Sequence, residues 1–293
     1  MSTVVNQAPP TPREMVTIAV GLTVVCLIAG IILGGVFFIT EPAKVQNQVA
    51  REQSSIRSLL SLSETAQIQE VRRYIYWRGK DLEVIYLTPT GLVTLDAAGK
   101  EKTKNAVPIE IAELPDNTAK DLWVKNQIAP ADTSEAFKYV GRFFIGIENE
   151  APVGYVVEGR SAGYKTWIRF FLAINSEFNL QGLEVVHHEE DPGLGDEITK
   201  RYFKNQFAGK SAAQIEKMEI TKDPLPSEWK SIVEELGDID FFDWYKKHQD
   251  EVNKHPDIHA ITGATISSVA VLDGVKRSLK NFEKRMKMVG DYL

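Results

Sequence analysis

The stretch "HAITGATISS", His259 to Ser268, decides how this chain is read. It sets Thr-Gly-Ala-Thr, Thr262 to Thr265, just ahead of a segment from about Ser268 to Met288. In that segment Val269, Leu272, Leu279 and Phe282 recur at helical intervals. A helix N-terminus offers unpaired N–H donors and a partial positive charge to an anion. Gly263 lets the loop take a conformation closed to other residues and lets a ligand come close. A phosphate is easily held at such a place. The competing reading is purely local: Thr265, Ser267 or Ser268 caps the helix and nothing binds.

A second stretch, "HHEEDPGLGDE" from His187 to Glu197, closes a strand and opens a helix through Pro192-Gly193-Leu194-Gly195. Two glycines around one leucine make a tight turn with exposed backbone, suited to lie against a flat ligand. Two histidines beside several acids invite a metal reading. Consecutive strand residues point to opposite faces, however, so adjacent side chains cannot converge on one ion. A solvated acidic loop is the plain alternative, and His187 and His188 read as structural or solvated.

The rest of the chain is punctuated by turns. Residues 1–14 are polar and read as disordered. Val16 to Ile39 carries no charge and is long enough to span a bilayer, whereas the apolar part of a cleaved signal is shorter. The anchor is placed at residues 15–40. Cys26, the single cysteine, lies inside it and reads as an apolar side chain, and Gly30 and Gly34 form a GxxxG pair. Val45, Val49, Ile56, Leu59 and Leu60 keep helical spacing over a stalk at residues 41–65.

Strands follow in "VRRYIYW", "LEVIYL" and "GLVTL", then "RFFIGIE" and "VGYVVEG" joined as a hairpin through Asn149–Pro152. "WIRFFLAI" places Ile168, Phe170, Leu172 and Ile174 on one face, and "GLEVVHH" comes next. "GDEITKRYFKNQFAGK" and "SEWKSIVEELG" read as helices, the second capped by Ser227 and stopped at Gly237. "DFFDWYKKH", Asp240–His248, reads as core packing, with a flavin-site lining as its rival. The class is α+β: a transmembrane helix and stalk, then a mixed, largely antiparallel domain. The formal net charge of −6, with no basic stripe, excludes nucleic acid as a partner.

The order strand, "H-x-E-x-P-G-L-G", helix, then "[ST]-G-A-T-x-S" before a last helix resembles the flavin-binding domain of the Rnf and Nqr membrane complexes. The matching elements are Ser161–Ile168, His188–Ile198, Phe203–Ser211 and Ile261–Ser268. The Gly-Tyr pair and the "F-x-x-Q-F-x-G-K" run resemble the G subunit of the Rnf ferredoxin:NAD+ oxidoreductase more than the C subunit of the NADH:quinone pump. That C subunit, and a membrane-anchored scaffold without redox function, are the alternatives. The resemblance covers residues 136–285 and the anchor, which places a covalent-FMN-binding domain at residues 136–293; residues 66–135 are a β-containing extension without a match.

The resemblance implies covalent FMN, joined by a phosphoester to the hydroxyl of Thr265 by a separate flavin transferase. It implies that Glu190, Gly193, Leu194 and Gly195 line the ring, that Thr262, Gly263 and Ala264 shape the phosphate end, and that Tyr164 and Lys165 approach the flavin. It further implies a redox subunit without substrate turnover of its own, partnered by other membrane subunits. The anchor would be single-pass in the inner membrane, with the soluble domain on the periplasmic or outer side. Two positions depart from the family pattern. His259 stands where Asp is usual, with Asp257 nearby, and Asp191 replaces the usual Thr. Ionised, Asp191 only accepts hydrogen bonds, and its charge is expected to lower the potential of a nearby flavin.

Overall fold

The computed structural model describes residues 11–112, 114, 117–129 and 136–293. The first ten residues of the expected disordered tail, residues 130–135 of the expected extension and the side chain of Val45 lie outside the described residues. Residues 1–51 and 52–293 form two units.

In the first unit, helix α1 (Pro12–Leu59, ending in the second unit) begins inside the stretch read as disordered. Thr11 and Glu14 start it with a reciprocal pair. The Glu14 N–H donates to Thr11 Oγ1 at 3.4 Å, and the Thr11 N–H donates to the Glu14 carboxylate at 2.7 Å. Pro12 takes the first helical position, where no N–H is needed. The apolar side chains from Val16 to Ile39 are exposed, on a helix long and apolar enough to cross a membrane. The separate anchor and stalk expected from the sequence are one continuous helix ending at Leu59.

The second unit is built on β1 (Gln67–Arg78), β2 (Asp81–Thr88), β3 (Gly91–Asp96) and β4 (Glu101–Asn105), followed by the short α2 (Ile109–Ala112) and α3 (Asn117–Ile128). Then come β5 (Phe137–Glu148), β6 (Ala151–Ala162), β7 (Trp167–Asn175) and β8 (Asn179–His187). After 3-10 turns around α4 (Arg201–Lys204) stand β9 (Lys210–Ser211), α5 (Ala212–Lys217), β10 (Ile220–Thr221), α6 (Ser227–Glu235), α7 (Phe241–Lys254), β11 (Ile258–His259) and α8 (Thr265–Val289). Among the described residues nine strands form one antiparallel sheet in the order β4-β3-β2-β1-β5-β6-β7-β8-β9. The strands of the 66–135 extension join the same sheet, because β1 pairs with β5 from Gln67–Ile147 to Tyr76–Phe137.

Both faces of this sheet are covered. On one, α8 packs Val271, Val275, Leu279 and Phe282 against Phe143, Val157, Phe170 and Leu172. On the other, Ile56 and Leu60 cover Phe144, Val156, Phe171 and Ala173, while Val124 of α3 covers Tyr74 and Ile85. The face expected for Ile168, Phe170, Leu172 and Ile174 is buried, and Phe171 and Ala173 behind it are buried too. Two helix expectations fail locally. "GDEITKRYFKNQF" breaks into 3-10 and α pieces, since the chain must turn back sharply to lay Phe203 and Phe207 in the core. Ser227 is the first residue of α6 and caps nothing; Pro226 precedes it.

The second face holds a row of charge. Glu70 and Arg72 on β1, Arg142 on β5 and Glu158 on β6 interlock, joined by Glu52, Lys120, Asp121 and Arg169. Among the described residues four cations meet four anions and each has a partner of opposite sign, as burial demands. Burial by itself would raise the Glu70 carboxyl, but Arg72, Lys120 and Arg142 outweigh it and hold it at about 2, against an ordinary 4.5. Its depressed value stabilises the fold above pH 4.5, and that contribution is lost as the pH falls from 4.5 through about 2. It amounts to about 3 kcal/mol. Glu70→Gln is expected to lower stability at pH 7 by about 3 kcal/mol and to flatten the acid limb between pH 5 and 2. Urea unfolding across that range reads both effects; an acid limb as steep as wild type would refute the assignment.

Candidate functional site

Helix α8 begins at Thr265, behind Gly263 at φ +79°. An L side chain is strained at that angle, and a Cβ there would also come within 3.0 Å of Leu194 Cδ2. Among the described residues no side chain caps this helix, so the expected cap from Thr265, Ser267 or Ser268 is not made. The two serines do other work. Ser268 Oγ accepts from the Ile261 N–H at 3.1 Å and donates to the Ala264 carbonyl at 3.1 Å, closing the loop on itself. Ser267 Oγ donates to the buried Glu190 carboxylate. Thr265 is half-buried, and its hydroxyl has no hydrogen-bond partner among the described residues.

Glu190, 5 % exposed, is the knot of the site. Besides Ser267 it accepts from the Tyr164 N–H at 3.2 Å and the Lys165 N–H at 3.1 Å, in the turn between β6 and β7. Its own N–H donates to His188 Nδ1 at 3.3 Å, giving that histidine a structural role. Among the described residues no cluster of metal-ligating side chains forms. The Pro192–Leu194 turn closes where Asp191's carbonyl accepts from the Leu194 and Asp196 N–H groups, at 3.1 and 3.2 Å. Gly195 then passes so close that a Cβ would lie 2.8 Å from that of Glu190.

These three segments enclose a cleft of about 410 Å³. Of the residues read from the sequence, Tyr164, Glu190, Asp191, Leu194, Gly195, Gly263, Ala264 and Thr265 line it. Thr262 and Gly193 do not line it; both are exposed, and Gly193 at φ +73° makes the turn instead. Ile266 and Ser267 also line the cleft; neither was read as a site residue, and Ser267, the last residue of "T-G-A-T-x-S", was weighed only as a helix cap. Tyr164, Leu194 and Ile266 leave large side chains open to solvent at its mouth. Asp191 is not a lone charge, because it is ion-paired with the Lys165 ammonium, whose pKa the hydrogen bond to Asp191 raises.

Other singled-out residues support the site from behind. Gln206 of "F-x-x-Q-F" brackets His259, accepting from its N–H at 2.8 Å and donating to its carbonyl at 3.3 Å. The His259 ring turns to the Asp223 carbonyl at 3.0 Å, and Asp257 accepts from the Glu219 N–H at 2.9 Å. Lys210 is buried and donates to the Val252 and His255 carbonyls, at 2.9 and 2.5 Å; burial pulls its ammonium down to about 8. In "DFFDWYKKH", Phe241 and Trp244 pack with Trp229 and Val233 in a core apart from the cleft, and Asp240 caps α7.

Residues 163–280 match the family described as an FMN-binding domain. The chain is similar to the G subunit of the proton-translocating ferredoxin:NAD(+) oxidoreductase complex of Clostridium ljungdahlii, 23 % identical over 92 % of this chain and 91 % of that one. It is 30 % identical to the G subunit of the ion-translocating oxidoreductase complex of Methanosarcina acetivorans over 45 % of this chain, spanning 54 % of that protein's length. Among solved structures it is similar to NqrC of Shewanella oneidensis, with a TM-score of 0.45 and 14 % identity over 83 % of this chain and 99 % of that one. The resemblance read from the motifs, to the G subunits, is the one that the first two relatives carry.

The hydroxyls of the motif have separable roles. In protein made without flavin, Ser267→Ala strips a donor from a buried carboxylate and is expected to lower Tm by several degrees, about 1–3 kcal/mol. Thr265→Val removes an unpartnered hydroxyl and is expected to stay within about 1 kcal/mol of wild type. Equal losses in the two variants, by thermal unfolding, would count against this division.

Proposed function

We propose that this chain is the electron-carrying flavoprotein subunit of a membrane ion-translocating ferredoxin:NAD+ oxidoreductase, with FMN joined by a phosphoester to Thr265. The reading rests on one observation: at the head of α8 both serines are engaged inward, while the Thr265 hydroxyl and an uncapped helix end line one cleft. The residues present suit FMN. Uncapped N–H groups and the helix dipole favour a phosphate at Thr265–Ser267. Leu194, Ile266 and Tyr164 offer apolar surface for a flat ring, in a cleft of ordinary ligand size. When bound, the flavin supplies one- and two-electron transfer; the chain contributes attachment, orientation and field.

Each wall has a task. Glu190 holds the Tyr164–Lys165 turn against the first turn of α8, so ring end and phosphate end keep a fixed spacing. Gly263 leaves the approach to Thr265 open on the side a modifying enzyme would take. Anchoring through α1 fits membrane subunits of the same complex as partners, and a flavin transferase as a transient one. In this reading the cleft lies on the periplasmic or outer side.

Coexpression with a flavin transferase is expected to raise the intact mass by one FMN less a water, and Thr265→Val to abolish the gain. A mass equal to the translated residues, or a gain that survives Thr265→Val, would reject the proposal.

The Lys165–Asp191 pair revises the expectation that Asp191 alone lowers the flavin potential. In the loaded protein, Asp191→Thr frees an ammonium and is expected to raise the potential. Lys165→Met frees a carboxylate and should lower it. Each shift is about tenfold in the reduced-to-oxidised ratio, about 30 mV for two electrons. The double variant should return close to wild type. Additive shifts of one sign in a redox titration would refute the coupling.

A further inference from the structure

Three basic side chains meet where α7 ends and the chain runs on toward the head of α8. Pro256 has no N–H to give the Val252 carbonyl, and Lys210 of β9 supplies the missing donor. Its ammonium, 1 % exposed, reaches the Val252 carbonyl at 2.9 Å and the His255 carbonyl at 2.5 Å. The His255 ring lies flat on the buried Trp229 indole of α6, with 4.7 Å between centroids and 11° between planes. The His259 ring of β11 stands 6.3 Å from it. His259 Nδ1 lies 3.0 Å from the Asp223 carbonyl. A carbonyl only accepts, so Nδ1 carries the hydrogen and a further proton must go to Nε2.

The chain from one histidine to the other is tied to its surroundings. The Ile258 N–H donates to the Glu219 carbonyl and the Ala260 N–H to the Thr221 carbonyl, both at 2.9 Å. Gln206 holds the N–H and the carbonyl of His259. Residues 255–260 therefore fasten the end of α7 to the loop that precedes α8.

Charge in this corner is one-sided. His255 faces Lys210 from β9, His259 from β11 and Lys254 on its own helix. Glu251 opposes them, yet it is already ion-paired with Lys254 at 2.5 Å. Asp257 of the same connection acts on Lys210, but its carboxylate accepts from the Glu219 N–H. From α6, Glu228 acts on Lys254, and the Trp229 face attracts a charged ring stacked on it. That face serves His255 alone, because His259 is turned to the Asp223 carbonyl. Burial, and next the His259 ring, hold the His255 imidazole below its ordinary value.

We propose that His255 and His259, set against the Lys210 ammonium, form a proton-operated clasp on residues 255–260. With neutral rings the clasp is shut. Protons on both rings place like charges side by side next to a buried cation, and the connection loosens while the sheet stays folded. The folded state disfavours the charged His255 ring, so the fold keeps its full stability above about pH 6.5 and loses part of it as the pH falls through the lower folded value. His248 of α7 works in the opposite sense, because its ring meets the Glu235 carboxylate at 2.7 Å. The clasp needs no flavin and stands whether or not one is attached to Thr265.

Hydrogen exchange read by mass spectrometry tests it on the full-length chain in detergent, corrected for the intrinsic pH dependence of exchange. Between about pH 7.5 and about pH 5.5 the wild type is expected to lose about tenfold in protection across residues 257–264, with β6 and β7 unchanged. Its Tm is expected to fall by about 2–4 °C over the same range. His255→Phe keeps a ring on Trp229 without a charge, and His259→Gln keeps an amide donor for the Asp223 carbonyl. Each should hold its protection at the lower pH, whereas His248→Gln should leave the wild-type response in place. A purely structural role for the rings predicts otherwise: protection lowered equally at both pH values in the variants. That outcome overturns the clasp. So does unchanged protection in the wild type, or a loss at low pH that persists in both variants. If His255→Phe fails to fold, His259→Gln carries the same expectations alone.

Discussion

A carboxylate taken out of water must be met by donors, and Glu190 meets three, from the turn before β7 and the first turn of α8. That requirement draws three stretches far apart in sequence into one cleft. It also dictates small residues around it: a Cβ on Gly163 or Gly195 would collide with the Glu190 side chain. The glycine before Tyr164, the second glycine of "P-G-L-G" and the last serine of "T-G-A-T-x-S" are therefore one device. Each fragment alone is weak, and their joint presence follows from a single buried acid.

The same device settles which hydroxyl is available. Ser267 is bound to Glu190 and Ser268 to the loop that precedes it, so both are fixed by the fold. Thr265 sits between these demands, on the helix's first turn and facing the cleft. Its β-branched side chain has few rotamers in a helix, which limits where its oxygen can go. Availability here comes from what the neighbours have used up, without any special property of threonine.

Much of this was legible in the chain, and the failures have physical causes. Strands with alternating apolar residues, the Asn149–Pro152 hairpin and the glycine of the TGAT loop are local signals, and the structure holds them. The pairing of β1 with β5 joins strands far apart in the chain and has no local signature, so residues 66–135 read as an extension. Arg72, Arg142 and Glu158 look like the solvated side of their strands; only the helices laid over that face turn them into a buried network. Asp191 read as a lone charge because its partner, Lys165, stands on another turn. Eight of the ten site residues were reached because they belong to motifs, and Ser267 was missed because its bond to Glu190 crosses the fold.

The two faces of the sheet show why charge balance, more than burial, separates structure from function here. Below, eight charges among the described residues cancel across β1, β5, β6, β7 and two helices. Above, α8 crosses the sheet with an uncapped end at Thr265. A folded chain satisfies its buried polar groups where stability alone is at stake, so the groups it leaves wanting mark where something else must arrive. The head of α8 lacks an anion. In the proposed reading a tethered flavin phosphate fills that deficit.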